Sequence, residues 1–103
     1  MDRIPEADWK IFKQHHLKVH EEFVNRALSQ ISEVMHGDTK SRIEMFQDIS
    51  ELVRRLGKQE QQLFSDYRRS TAALMLRLWV NEGLMSEEQV AQYSDQIQAF
   101  LRL

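Results

Sequence analysis

The chain has no cysteine, only one proline and only three glycines in 103 residues. Without thiols there is no disulfide staple, no thiolate nucleophile and no cysteine-ligated zinc, which agrees with a reducing cytosol. The scarcity of turn residues implies a packed fold with few reversals. No charge of one sign predominates. Fourteen basic residues face sixteen acidic ones, and the split is five against six up to Gly37 and nine against ten beyond it. No basic stripe or tail advertises a polyanionic partner. Long apolar runs are missing too: the longest, Ala72 to Val80, is interrupted by Arg77 and falls far short of the ~20 residues that cross a bilayer. The first residues, Met1 to Glu6, carry no apolar run behind their charges, so a secretory signal is not expected. These absences lead us to expect a cytoplasmic protein without a membrane partner.

What is present is helical periodicity. The chain is 42% hydrophobic and 29% charged, the length suits one domain, and residues 1–103 are read as a single helical unit. Trp9, Phe12, His16, Val19, Phe23, Ala27, Ile31 and Val34 recur at steps of three and four, as on one buried helical stripe. Unbroken, this helix would be about 45 Å long at ~1.5 Å per residue, so a bend is expected near His15 to Lys18. Ser41 and Glu44 read as a capping box, with Asp38 or Thr39 as alternative caps. The helix that follows would face inward with Ile43, Phe46, Ile49, Val53 and Leu56, and Gly57 would end it. A third helix, Lys58 to Glu82, would bury Leu63, Tyr67, Ser70, Leu74 and Leu78. Ser86 with Gln89 forms a second capping box, and Met85 is placed to staple onto Val90. The final helix would use Val90, Tyr93, Ile97 and Phe100 or Leu101, with Ser94-Asp95 a point where it divides. No segment alternates as a strand does, so the fold expected is an all-α bundle of four to five helices.

Two groups of residues invite a chemical reading. His16 and His20 lie four apart on one helical face, and neutral imidazole is both a metal ligand and a proton carrier. A metal needs three or four converging ligands, whereas the sequence neighbours on that face are Phe12, Phe23 and Val24, so no cofactor is expected. Arg68, Arg69 and Ser70 place two guanidinium groups and a hydroxyl within one turn, and guanidinium forks hold phosphates and carboxylates well. Arg54, Arg55 and Lys58 would join them if packing brought them close. The plainer reading pairs Arg69 with Asp66, pairs Arg68 with an acidic residue of another helix, and makes Ser70 a small contact where helices cross.

Phe64-Ser65-Asp66-Tyr67-Arg68-Arg69-Ser70-Thr71-Ala72, followed by Gly83-Leu84-Met85-Ser86-Glu87-Glu88 and Tyr93-Ser94, resembles a pattern in small bacterial all-helical proteins of unknown function. The region from Trp9 to Phe12 fits the same pattern. The resemblance implies a bacterial, cytoplasmic setting and marks Arg68, Arg69 and Ser70 for attention, but it implies no activity. The functional expectation is a non-catalytic interaction or adaptor module whose partner is another protein or a second copy of the chain. Anion or nucleic-acid binding through Arg68 and Arg69 is the alternative, and a metal-dependent enzyme built on His16 and His20 ranks third.

Overall fold

A computed structural model describes residues 3–38 and 40–103, which form five helices and no strand among the described residues. They are α1 (Glu6–Met35), α2 (Arg42–Phe64), α3 (Ala72–Asn81), α4 (Glu87–Val90) and α5 (Asp95–Leu101). The all-α bundle is therefore the observed class.

Helix α1 is one continuous rod of 30 residues, so the expected bend near His15 to Lys18 is absent. The expectation assumed a compact molecule, but this one measures 52 × 23 × 23 Å. Helix α2 returns antiparallel beside α1, and the pair makes a hairpin that extends beyond the rest of the fold. At the hairpin tip the Ser41 hydroxyl accepts from the Glu44 N–H at 3.2 Å, as a cap should. Ser41 is thus the cap and not Asp38, while Thr39, the other alternative, lies outside the described residues.

Helix α2 does not stop at Gly57 but continues to Phe64. A glycine inside a helix costs about 1 kcal/mol relative to alanine, which is too little to end one whose next turns are anchored. The anchors are His20, bonded to Glu60 at 2.7 Å, and the buried Leu63 and Phe64. The break comes instead at Ser65–Thr71, so the expected helix from Lys58 to Glu82 is two helices. The Ser65 hydroxyl donates to the Gln61 carbonyl, and Thr71 donates to that of Arg68 at 3.2 Å. Short polar side chains that bond their own backbone favour turns over helix, and four of them, Ser65, Asp66, Ser70 and Thr71, gather here. The end of α2 is tied down by Trp79, whose indole N–H donates to the Leu63 carbonyl at 2.9 Å. That carbonyl lies in the last turn of α2 and has no partner within the helix.

Helix α3 ends in a Schellman motif. Gly83 adopts φ +69°, its N–H bonds the Val80 carbonyl at 3.0 Å, and the Leu84 N–H bonds that of Trp79 at 2.9 Å. Ser86 and Gln89 form the expected reciprocal capping box, and Ser94 caps α5, so the last segment does divide at Ser94-Asp95. Arg77, the interruption in the apolar run, reaches across to donate to the carbonyls of Phe100 and Leu103 at 3.0 and 3.1 Å, closing the end of α5.

The main apolar cluster lies at one end of the molecule. It joins Ile4, Phe12 and Val19 to Leu63 and Phe64, to Ala72, Met75, Leu76 and Trp79, and to Leu84, Val90, Tyr93, Ile97 and Leu101. Leu52 and Leu56 are also buried, but between the two arms of the hairpin and outside that cluster.

Candidate functional site

The hairpin departs most from its expected packing. Of the five residues expected to face inward on α2, only Leu56 is buried. Ile43 and Phe46 are each 73% exposed and Val53 is 49% exposed, while Ile49 is half-buried. The stripe that meets α1 is instead Met45, Ile49, Leu52 and Leu56. A second stripe, Ile43, Phe46, Ser50, Val53 and Gly57, therefore runs along the outside of α2 at steps of three and four. Helix α1 has a matching line in Val24, Leu28, Ile31 and Met35, with Leu28 and Met35 more than half exposed. Between the two lines lies an open groove of about 210 Å³, walled by Val24, Leu28 and Ile31 on one side and by Val53, Gly57 and, at its base, the carboxylate of Glu60 on the other.

The exposed face of α1 beside this groove is uncharged from Asn25 through Met35: Asn25, Leu28, Ser29, Ser32 and Met35. The two charged residues in that stretch are turned elsewhere. Arg26 reaches the carbonyls of Glu82 and Gly83, and Glu33 lines the opposite side, with Gln30 and Arg55. An apolar, charge-poor strip between more polar margins has the composition of an interface centre.

The histidines sit at the base of the hairpin. His16 is enclosed by Phe12, Phe64, Tyr67 and Trp79, with ring centroids 4.7 to 5.9 Å away and edge-on packing throughout. Its Nε2 is buried without a hydrogen-bond partner, and burial, helped by neighbouring His20, holds its pKa below the usual histidine value. The His20 ring lies 6.4 Å away, stacks on Phe64 and bonds Glu60. So His16 and His20 do come together, but as part of an aromatic wall. Among the described residues, no three histidine or carboxylate side chains gather closely enough to hold a metal ion.

The arginines are engaged separately. Arg68 grips Asp66 with both arms of its fork, at 2.8 and 3.0 Å, where Arg69 was the expected partner. The fork lowers the pKa of Asp66. Arg69 donates to the Ile4 carbonyl at 3.0 Å, tying the segment before α1 to the loop before α3. Ser70 is exposed, not an inter-helix contact, and Tyr67 and Leu74 are 47% and 54% exposed rather than buried. Arg54, Arg55 and Lys58 stand exposed on α2.

Sequence reasoning missed a buried polar connection. Asp8 is 1% exposed, and its carboxylate accepts from the Ser94 N–H at 2.8 Å and the Ser94 hydroxyl at 2.7 Å. Two turns further along α1, the buried His15 Nδ1 lies 2.9 Å from the Tyr93 hydroxyl. Burial and then the charge of Asp8 push the Tyr93 hydroxyl's pKa well up, while burial and Lys18 push that of His15 down. These bonds join positions 78 and 86 residues apart, and no local pattern announces them.

Comparison with protein-family profiles, with curated proteins and with solved structures finds no match.

Proposed function

We propose that this protein is a non-catalytic interaction module whose working surface is the outer face of the α1–α2 hairpin. One observation carries the reading: Ile43, Phe46 and Val53, spaced like core residues, are 49 to 73% exposed. Leu28 and Met35 of α1 continue the same apolar face. A scattered exposed leucine is ordinary, whereas a contiguous apolar face with helical register is the mark of a docking site. The spacing suits an amphipathic helix laid against the groove.

Anion binding is less well supported, because both arms of the Arg68 fork are occupied by Asp66 and Arg69 is committed to Ile4. A catalytic reading of His16 is weakened because its Nε2 has no hydrogen-bond partner among the described residues. The buried Nε2 faces aromatic rings.

The experiment is site-specific photo-crosslinking in cells, with benzoylphenylalanine replacing Phe46 or Leu28 on the face, or Gln96 at the far end. The reading expects defined protein adducts from the first two positions and none from the third. Equal, diffuse labelling from all three would remove it.

A further inference from the structure

Gly57 has no explanation within one copy of the chain. It stands in mid-helix, where glycine is disfavoured, its φ is not positive, and a Cβ built on it would meet nothing within 4 Å. Neither backbone conformation nor intramolecular packing requires glycine here. The side at which space is left open is the groove, whose lining includes Gly57. A glycine on an exposed helix face permits close approach by something outside the chain.

We infer that a second copy of this chain occupies the groove, the two hairpins packing face to face and antiparallel as a four-helix bundle. The inference rests on the docking surface proposed above and names its occupant. Three features select a copy over an unrelated helix. First, the outer stripe of α2 tapers, with bulky Ile43 and Phe46 toward the hairpin tip, Ser50 in the middle, and Val53 and Gly57 toward the base. About a two-fold axis near Ser50, Ile43 of one copy falls opposite Gly57 of its partner and Phe46 beside Val53, so each bulky side chain meets a small one. The same match forms twice by symmetry.

Second, the steps of three and four on both helices, Val24–Leu28–Ile31–Met35 and Ile43–Phe46–Ser50–Val53–Gly57, are those of helices packed at shallow angles in bundles. Third, a surface that docks on itself brings like residues together near the axis, so charges there would repel. This face is uncharged along α1 from Asn25 to Met35; on α2 its charges are exposed Arg54, one turn from Ser50, and Glu60 at the groove's base, and in this register Arg54 falls opposite Phe46 of the other copy and not opposite its own counterpart. The side chains more than about half exposed present on the order of 500 Å². Half-buried Val24 and Ile31 add to this, which brings the surface toward the ~800 Å² per partner of an ordinary interface.

The test is sedimentation of the full chain across a wide concentration range, for wild type, Phe46→Lys and Gly57→Leu at matched helicity. Wild type is expected to form a concentration-dependent dimer, and each substitution to raise its dissociation constant tenfold or more. Gly57→Leu has a second signature. It replaces a poor helix former in open space, so the dilute chain should become more resistant to urea even as the dimer weakens. Because the chain has no cysteine, a single Ser50→Cys gives a clean contact probe. Mild oxidation should link two copies through position 50, and a Gln96→Cys control should stay unlinked.

A wild type that remains monomeric to its solubility limit, or a dimer indifferent to both substitutions, overturns the inference. If that monomer still yields adducts with a different protein from position 46, the docking reading stands and only self-recognition fails. If it yields no adducts, both fail.

Discussion

Two kinds of buried polar residue hold the folded end together, and they respond differently to change. Asp8 is the single side chain that satisfies both the backbone N–H and the hydroxyl of Ser94, at the start of α5. Asp8→Ala breaks two part-buried hydrogen bonds to a carboxylate, and bonds to a charged group contribute about 1.5 to 3 kcal/mol each. We expect Asp8→Ala to lower stability by about 2 kcal/mol or more in urea unfolding. Asp66→Ala, at a half-buried carboxylate whose partner Arg68 is exposed to solvent, should by contrast change it little.

His15 and His16 act through protonation. Burial lowers the pKa of both in the fold, below the ~6.5 of an unfolded histidine. Above that value neither state binds the proton and stability is at its plateau. As pH falls below it, the unfolded chain takes up protons that the native chain declines, and stability drops until the native pKa values are passed. The urea midpoint is expected to fall between pH 8 and pH 5, and His16→Phe, which suits the surrounding aromatic rings, should reduce the slope. A midpoint that is flat over this interval would contradict the assignment. Asp66 and Glu87, lowered by Arg68 and Arg102, titrate below this window and do not confuse it.

At the scale of elements, α2 carries two apolar stripes with different duties. Leu52 and Leu56 are buried against α1, whereas Phe46 and Ile43 face outward. Leu52→Ala should cost about 2 kcal/mol or more by leaving a gap between the hairpin arms. Phe46→Lys should leave the stability of the dilute chain within about 0.5 kcal/mol, as surface substitutions do. Circular dichroism melts at low concentration compare them directly. Helix ends follow local chemistry where a cap is present, at Ser41, Ser86 and Ser94, and at the left-handed Gly83. They depart from the sequence reading where glycine alone was taken as a stop, at Gly57, and where the polar loop Ser65–Thr71 was taken as helix.

On the scale of the whole molecule, an elongated shape means that the hairpin tip has only its own two helices to bury its apolar residues. A bundle completed by a second copy would couple folding to association, so the melting temperature should rise with protein concentration. A melting temperature unchanged over a hundredfold range of concentration would argue for a self-sufficient monomer. Phe46→Lys should abolish the dependence without lowering the value measured at high dilution.

Local chemistry in the sequence determined the helical class, the three serine caps, the Schellman turn and the inward positions of Phe12, Val19, Val90, Tyr93, Ile97 and Leu101. Each of these follows from side-chain spacing or from hydrogen bonds between near neighbours. Arg68, Arg69 and Ser70 were legible as an unusual group, but not their partners. Those depend on where Asp66 and Ile4 lie in space. Tertiary structure alone decided which of the two stripes on α2 meets α1, that α1 runs straight, and that Asp8 and His15 bond residues near the other end of the chain. Periodicity tells that a face is apolar but not what covers it, because the covering surface comes from another element or, on the reading proposed here, from another copy.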